Sequence, residues 1–419
     1  MANSREKFNT AEKPAKHSRF WFALERFLAF FYNLPVGGKI TKINCKGLKP
    51  PYIILGNHAS MVDFTMMIKA VRPHPVSWVA SIEEFNGREF IFRKMGNIYK
   101  RKFTNDVTVV RHILHVLKRN KGIVGMYPEA RFSLAGINER LDKALGKLVK
   151  AAKVPVVTFM LKGNFIRSPQ WNKHPYRKVP VIARMRQIVT REEALTLSAE
   201  EIQKRIEDAF NYDDYAYQRE NGIKIKCKER ATNLHKILYQ CPNCMKEGST
   251  YSKGTKIWCE ECGRVWDMDE LGLLHCENGE DIFNLVTDWY RWERENVRNE
   301  VRSGNYRFED EARLELLKSS HEGFVPVGNV KLTHGYDGFT LNGVIDGKPF
   351  FFNRDPATMY SCHIEYDYKG RGDAIDIAMP TDTYFAYPLN AVNCLTKLHF
   401  ATEEIHDFVT EQRKSNGNG

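Results

Sequence analysis

A histidine and an aspartate five residues apart form the first group in this sequence that could do chemistry. His58 and Asp63 follow an apolar run, residues 52–55, whose composition fits a strand buried on both faces. Open α/β sheets bind ligands beyond such strand ends. An imidazole can take up a proton near neutral pH, and a carboxylate bonded to its other nitrogen fixes the tautomer. The pattern predicts a general base with an orienting acid, which requires a turn after His58 and a helix that begins near Asp63.

A histidine and an aspartate at this spacing are common in protein sequences. A histidine at a strand end often bonds a nearby carboxylate without any catalytic role. A further acidic residue follows another predicted strand. Glu129 follows a second apolar run, residues 123–127, and should reach the same edge of the sheet as His58. The wider pattern of motifs along the chain distinguishes the two interpretations.

Taken in order, these segments resemble the motifs of the glycerolipid acyltransferases, the family of lysophosphatidic acid acyltransferases. The first family motif, Asn-His-x4-Asp, matches residues 57–63. The third, Phe-Pro-Glu-Gly-Thr-Arg-Ser, compares with residues 127–133, where Ala130 replaces the glycine and the arginine comes one place early at Arg131. The fourth, an apolar strand containing proline, matches residues 154–157. The resemblance spans residues 40 to about 210, half of the chain.

The second family motif, a glycine followed by apolar residues and an arginine, is less well matched. It corresponds to residues 96–102, where the family's arginine falls on Lys102 and Arg101 stands one place early. Arginine would hold a phosphate by a bidentate fork and lysine as a point charge. The alternative to phosphate binding is that this segment forms a basic turn exposed to solvent. The resemblance implies a catalytic set of His58, Asp63 and Glu129, and a substrate-binding set of Asn57, Arg101, Lys102, Arg131 and Ser133.

The resemblance also implies direct transfer of an acyl group from a thioester, either acyl-CoA or acyl-acyl carrier protein, to a lysophospholipid hydroxyl. The acceptor that we favour is 1-acylglycerol 3-phosphate, which would give phosphatidic acid, with His58 as the base and no covalent acyl-enzyme. Ser60 is predicted to cap a helix rather than to act as a nucleophile. Another lysolipid or a hydroxylated lipid as acceptor is the main alternative. A zinc-ribbon protein that binds nucleic acid and a catalytically silent lipid-binding scaffold are further ones.

Two Cys-x2-Cys pairs, fourteen residues apart, form a second chemical group. This spacing is typical of zinc ribbons, in which four thiolates hold Zn²⁺ tetrahedrally and leave no position open for water. We therefore predict a structural zinc ion at Cys241, Cys244, Cys259 and Cys262. Disulfides are the alternative. The polar opening, residues 1–18, disfavours them because it does not read as a secretory signal.

The net charge of +12 favours anionic partners, namely phospholipid headgroups, nucleic acid or an acidic carrier protein. The basic residues are dispersed, so we expect no nucleic acid. No run of about 18 apolar residues predicts a spanning helix. The aromatic stretch of residues 20–32 instead predicts a helix in the membrane interface, although packing on the domain's own core would produce the same pattern. We expect a cytoplasmic protein bound peripherally to the anionic inner face of the cell membrane, with acyl carrier protein as a further candidate partner.

The elements that must position these residues follow from the alternation of apolar strands with helical patterns between residues 40 and 226. This alternation predicts an α/β domain with a mixed or mostly parallel sheet covered by helices, and the family resemblance implies that it is the glycerolipid acyltransferase fold. A small zinc ribbon and a β-rich C-terminal domain follow. The predicted segments are an amphipathic interfacial segment at 1–39, the acyltransferase domain at 40–226, the ribbon at 227–275, a charged helical connector at 276–318, the β-rich domain at 319–412 and a disordered tail at 413–419.

The β-rich domain is predicted to end in a helix, as a pleckstrin-homology-like barrel does and as other small β folds do. We recognise no catalytic set in this domain. His321, His334 and His363 are isolated in the sequence and are predicted to be structural or exposed.

Overall fold

The structure, a computed structural model, describes residues 9–85, 87–104, 106–173, 177–318 and 322–417. Residues 1–8 of the predicted interfacial segment, His321, and residues 418–419 of the predicted tail lie outside the described residues. The chain divides into two compact units. The N-terminal unit comprises Asn9–Lys100 and Asp106–Ile225, and the C-terminal unit comprises the described residues of Arg101–Asn105 and Lys226–Gly419.

The N-terminal unit is built from strands and helices that alternate along the chain. Its strands are β1 Lys39–Ile43, β2 Tyr52–Gly56, β3 Val76–Ser81, β4 Ile98–Lys100, β5 Ile123–Met126, β6 Val156–Lys162 and β7 Ile182–Val189. Its helices are α1 Arg19–Asn33, α2 Met61–Ala70, α3 Ile82–Phe85, α4 Glu89–Lys94, α5 Val107–His115 with a π-helical turn Val116–Asn120, α6 Leu145–Ala152, α7 Asn164–Arg167, α8 Arg191–Thr196, α9 Ala199–Ala209 and α10 Asp214–Glu220.

These strands form one sheet in the order β1-β7-β6-β2-β5-β3-β4. The β6–β7 pair is antiparallel, whereas β1–β7, β2–β5, β2–β6, β3–β4 and β3–β5 are parallel. The sheet is therefore mixed and mostly parallel, which confirms the prediction. Ser198 begins α9 with a capping box, in which its hydroxyl accepts from the Glu201 N–H and the Glu201 carboxylate accepts from the Ser198 N–H.

Strand β2, which carries the candidate site, is buried on both faces. Ile53 and Leu55 belong to one apolar core, shared with α5, α6 and α9, whereas Tyr52 and Ile54 belong to another, shared with α2. Successive side chains of a strand lie on opposite faces, so a strand between two helical layers must be apolar throughout. This requirement explains the unbroken apolar run at residues 52–55.

Helix α1 packs on the N-terminal unit through a narrow face made of Glu25, Ala29 and Asn33. Four of its five phenylalanines are exposed, among them Phe27 at 59% and Phe31 at 52%. Packing on the domain's own core, the alternative considered from the sequence, therefore does not account for these side chains. Within the described residues, no helix has both the length and the apolar character needed to span a bilayer.

The C-terminal unit contains two antiparallel sheets and two long helices. Their bounds are β8 Thr250–Lys253, β9 Lys256–Cys259, β10 Val265–Met268, β11 Leu274–Cys276, α11 Val286–Arg302, β12 Phe308–Leu317, β13 Phe324–Gly335, β14 Gly338–Ile345, β15 Lys348–Arg354, β16 His363–Glu365, β17 Ala374–Ala378, β18 Thr383–Pro388 and α12 Leu395–Ser415. Short 3-10 turns lie at Leu234–Lys236, Pro356–Thr358, Tyr368–Gly370 and Val392–Cys394. The sheet orders are β11-β10-β9-β8 and β15-β14-β13-β12-β18-β17-β16.

The second half of the predicted helical connector differs from the structure. Helix α11 ends at Arg302, and Phe308–Leu317 form β12, a strand in the middle of the seven-stranded sheet. Alternate positions of β12 are buried, and one of them is Asp310. Because Asp310 and Glu315 lie on buried positions among the apolar ones, the period-two hydrophobic pattern that identifies a strand is masked in the sequence.

Candidate active site

The carboxyl end of β2 packs tightly against its neighbours. A Cβ on Gly56 would lie 2.7 Å from Met67 Cε and 2.9 Å from Tyr127 Cε1, so this position requires a glycine for space. Its backbone φ is not positive, so the glycine is required by close packing and not by the backbone conformation. Asn57 then joins β2 to β6, because its amide donates to the Leu161 carbonyl at 2.9 Å and accepts from the Leu161 N–H at 2.8 Å.

His58 and Asp63 meet in one turn, as their spacing predicts. Nδ1 of His58 lies 3.0 Å from Oδ2 of Asp63, whose side chain is 1% exposed. Ser60 is the N-cap of α2, as predicted, and its hydroxyl accepts from the Val62 N–H. Oδ2 of Asp63 also accepts from the backbone N–H of Ala59 at 2.6 Å and of Ser60 at 3.0 Å. The capping box that begins α2 therefore also holds the carboxylate beside the imidazole.

The bond to Asp63 determines which nitrogen of His58 can act as a base. A carboxylate can only accept a hydrogen bond, so Nδ1 of the neutral ring carries the proton and donates it to this bond. The free lone pair is then on Nε2, which can act as the base. The ring stacks on Tyr127 with centroids 3.9 Å apart, and it also contacts Phe132 at 4.2 Å. The side chain of His58 is 20% exposed. The imidazole is therefore held by aromatic contacts and stays accessible to a ligand.

The carboxylate of Glu129 bonds the backbone of His58. It accepts from the His58 N–H at 3.3 Å, from the Glu139 N–H at 3.1 Å and from the Tyr212 hydroxyl at 3.1 Å. The side chain is fully buried, and this burial raises the pKa of Glu129 to about 8. These contacts make Glu129 a group that positions the His58 backbone. A direct contact between Glu129 and the reactants stays a prediction.

Ser133 and Arg131 lie on the loop that follows β5, and both are buried. The Ser133 N–H donates to the carbonyl of His58 at 2.7 Å. Nε of Arg131 donates to the carbonyl of Glu129 at 3.3 Å. The structure thus places Asn57 next to His58 in the chain and bonds Ser133 to the His58 backbone, while Arg131 bonds the backbone of Glu129. Their role in substrate binding stays a prediction.

Arg101, which the family resemblance assigns to phosphate binding, belongs to the C-terminal unit. Its Nη1 donates to the Thr383 hydroxyl at 2.7 Å, and its Nη2 donates to the Thr381 carbonyl at 2.5 Å. Arg101 is 3% exposed. The structure does not bring Arg101 into the same unit as His58, and its contact with a phosphate stays a prediction.

Lys102 lies in a buried polar cluster of the same C-terminal unit. Its ammonium nitrogen is 3.1 Å from Glu365 and 3.4 Å from Asp376. Nε2 of His363 is 3.3 Å from Glu365, so His363 is not isolated in the fold. Burial would raise the pKa of Glu365, but the charges of Lys102 and His363 lower it to about 2. Lys102 thereby neutralises acidic groups that would otherwise be costly to bury.

Two residues at the site, Asn164 and Tyr212, are not among the candidates identified from the sequence. Asn164 donates from Nδ2 to Oδ1 of Asp63, and Tyr212 bonds Glu129. Asn164 directly follows the turn after β6, the strand next to β2. The strand-end rule that singles out His58 also indicates this residue. Tyr212 carries no such signal, because it lies in the loop before α10 and only the fold brings it to the site.

The four cysteines of the predicted zinc ribbon lie together in the C-terminal unit. Their sulfur atoms are all within 4.8 Å of one another. Cys241 Sγ is 3.6 Å from Cys262 Sγ, and Cys244 Sγ is 3.7 Å from Cys259 Sγ. Thiolates at about 2.3 Å from one tetrahedral Zn²⁺ would stand about 3.8 Å apart. The cluster therefore has the size of a four-thiolate shell.

Comparisons with known proteins bear on the N-terminal unit. Residues 36–162, which include His58, Asp63 and Glu129, match the family model described as Acyltransferase. The solved structure of PlsC, the 1-acyl-sn-glycerophosphate (LPA) acyltransferase from Thermotoga maritima, is 16% identical over 48% of this chain and 79% of that chain, with a TM-score of 0.37. A likeness this weak carries no argument about this chain. A search of the curated proteins gave no match. The family match supports acyl transfer as the activity of this unit.

Proposed function

We propose that this chain is an acyltransferase that moves an acyl group from a thioester to a hydroxyl of a lysophospholipid. One observation carries the proposal. His58 Nδ1 lies 3.0 Å from the Asp63 carboxylate beyond the carboxyl end of β2, within the segment that matches the acyltransferase family. Ligands of open α/β sheets bind at this edge. The acceptor we favour is 1-acylglycerol 3-phosphate, whose acylation gives phosphatidic acid.

The proposed step uses His58 as a general base. Nε2 takes the proton of the acceptor hydroxyl as the hydroxyl oxygen attacks the thioester carbon, and the C–S bond then breaks. The departing thiolate takes that proton from the imidazolium, which returns the enzyme to its starting state. Asp63 stabilises the imidazolium while it exists. Ser60 is not the nucleophile in this scheme, because its hydroxyl caps α2 and donates to Asn164 at 3.0 Å.

Charge does not distinguish the two candidate donors. The net charge of +12 suits both the phosphates of acyl-CoA and the acidic surface of acyl carrier protein. For the acceptor's phosphate we keep Arg131, together with Arg101 and Lys102, as candidates. Their substitution by Ala should raise KM for the lysolipid more than KM for the donor. An unchanged lysolipid KM in all three variants, with a lower melting temperature for Lys102→Ala, would show that these side chains stabilise the fold instead.

A second part of the proposal is one structural zinc ion per chain, held by the four thiolates of the ribbon. The distances between sulfur atoms fit a tetrahedral shell of this kind, and four thiolates leave no coordination position for water. The ion would stabilise the ribbon and take no part in acyl transfer. The residues that would hold it are Cys241, Cys244, Cys259 and Cys262.

A third part is that α1 holds the enzyme at the membrane surface, where its lipid acceptor lies. The face opposite Glu25 and Ala29 exposes phenylalanines such as Phe27 and Phe31. An exposed apolar helix face can enter the interface to a depth of about 5–10 Å. Nearby Lys and Arg would add about 1 kcal/mol each on an anionic leaflet. Binding would be peripheral, on the cytoplasmic side of the cell membrane.

The test is an assay of the purified full chain against a panel of lysophospholipids, with acyl-CoA and with acyl-acyl carrier protein as donors. We expect acylation of at least one lysophospholipid. His58→Ala should lower the rate by roughly 10²–10⁴-fold, because it removes the base. Acylation of only a hydroxylated lipid would favour the alternative acceptor. Equal turnover by the wild type and a folded His58→Ala variant would overturn the mechanism.

A further inference from the structure

The side chain of Asn164 lies against the carboxylate that orients His58. Asn164 Nδ2 donates to Oδ1 of Asp63, while His58 Nδ1 donates to Oδ2. The two oxygens of Asp63 are therefore both bonded, one to the base and one to Asn164. Asn164 and Asp63 are each 1% exposed, so water does not compete freely for these bonds.

The orientation of the Asn164 amide is determined by two partners of opposite character. Its NH2 group faces the carboxylate of Asp63, which can only accept. Its Oδ1 accepts from the Ser60 hydroxyl at 3.0 Å, and the same hydroxyl accepts from the Val62 N–H at 3.2 Å. A flipped amide would place its oxygen against a carboxylate. Asn164 thus joins the cap of α2 to the carboxylate of the pair.

The backbone that carries Asn164 is also held in place. Gly163 precedes it with φ of +84°, and a Cβ there would lie 2.5 Å from the carbonyl of Pro180. The turn after β6 therefore requires a glycine. The N–H of Phe165 donates to Oδ2 of Asp214 at 2.9 Å, and Asp214 is itself buried. Asn164 is thus held by its backbone as well as by its amide.

We propose that Asn164 is a positioning residue for acyl transfer, which holds the Asp63 carboxylate in the orientation that the His58 Nδ1–H requires. The proposal rests on the proposed function, because it assigns Asn164 a role through the His58–Asp63 pair. Asn164 lies beyond residues 36–162, the segment that matches the acyltransferase family. It acts through Asp63 and does not touch the reacting atoms.

Two variants test the proposal in the full-length protein. Asn164→Ala removes the amide, and kcat should fall about 10- to 100-fold with little change in either KM, since a hydrogen bond to a charged group is lost. Asn164→Asp keeps the shape and changes the chemistry. A protonated carboxyl at position 164 can donate to Asp63 as the amide does, whereas an ionised one repels it. The ratio of variant to wild-type kcat should therefore fall as the pH rises through the pKa of the new carboxyl, which burial and the charge of Asp63 raise above the ordinary value of about 3.9.

Controls separate this effect from a general loss of structure. Three ionisable groups near position 164 are present in the wild type and in both variants: Asp63, which Asn164 contacts, His58, which Asp63 contacts, and Asp214, which accepts from the Phe165 N–H. Asn97→Asp is the matched control, because Asn97 is also buried but accepts from the Trp78 N–H. Its kcat ratio should not depend on pH. Melting temperatures measured at each pH confine the comparison to folded protein.

Each outcome decides one point. A kcat of Asn164→Ala equal to that of the wild type would overturn the proposal, as would an Asn164→Asp ratio that is constant with pH. A falling ratio for Asn164→Asp but not for Asn97→Asp would support it. His58→Ala, assayed alongside, reports on the proposed function separately. If that variant is inactive while Asn164→Ala is fully active, the base assignment stands and only the positioning role fails.

Discussion

Replacing Asp63 by asparagine tests the catalytic pair directly. Oδ2 of Asp63 accepts from His58 Nδ1 and from the backbone N–H groups of Ala59 and Ser60, while Oδ1 accepts from Asn164. An amide offers one accepting oxygen and one donating NH2 group. If the NH2 group takes the place of Oδ2, it meets three donors, and if it takes the place of Oδ1, it meets the amide of Asn164. In either orientation, hydrogen-bond donors face each other without an acceptor between them.

Both orientations also damage the base. An NH2 group facing His58 would force Nδ1 to accept, so the ring would carry its proton on Nε2, where the base must be. An amide oxygen facing His58 keeps the tautomer, but a neutral group stabilises the imidazolium less than a carboxylate does. We expect kcat to fall by roughly 10²–10⁴-fold, which is about 3–5 kcal/mol of activation free energy. The free energy of unfolding should fall by about 1–3 kcal/mol, because hydrogen bonds to a charge are weakened.

The assay combines initial rates of acyl transfer with urea unfolding of each variant. Ser198→Ala is the matched control for lost stability. It removes the equivalent capping box at the start of α9, should cost about 1 kcal/mol and should leave kcat unchanged. A folded Asp63→Asn protein with wild-type kcat would refute the reasoning, and so would a Ser198→Ala variant that loses as much activity.

Glu129→Gln should make stability less dependent on pH. Burial raises the pKa of Glu129 from 4.5 to about 8. The folded wild type therefore binds a proton that the unfolded chain has released, and its stability falls as the pH rises between these values. Urea unfolding of both proteins at the two ends of this range measures the effect, and an equal pH dependence of their stabilities would contradict it. Elemental analysis should find one zinc ion per chain, and Cys259→Ser should lose the ion and lower the melting temperature, whereas fully reduced, folded protein without zinc would refute the site. Phe27→Ser combined with Phe31→Ser should weaken co-sedimentation with anionic vesicles at an unchanged melting temperature, because both side chains are exposed. Phe351→Ser, which alters an exposed residue of the C-terminal unit, is the control, and vesicle binding equal to wild type in the double variant would count against α1.

Features that depend on neighbours along the chain could be predicted without the fold. His58 and Asp63 contact each other within one turn because a cap and the first turn of a helix follow the histidine directly. The capping box at Ser198 and the two Cys-x2-Cys pairs are local in the same sense, so spacing specifies which atoms can meet. The apolar run at 52–55 identified a strand, since a strand covered on both faces has no polar position.

Contacts between residues far apart in the chain depend on the fold. Asn164 reaches Asp63 from 101 positions away, and Arg101 bonds Thr383 across 282 positions. No spacing rule relates such residues, because the packing order of strands determines which strand ends become neighbours. The acidic residue Asp310 in β12 shows the same limit: its burial is offset by bonds from the backbone N–H groups of Asn390 and Ala391. The sequence does not distinguish a charged residue that is exposed from one that is buried with partners. The reason is that only the fold supplies the partners that offset the free-energy cost of burial.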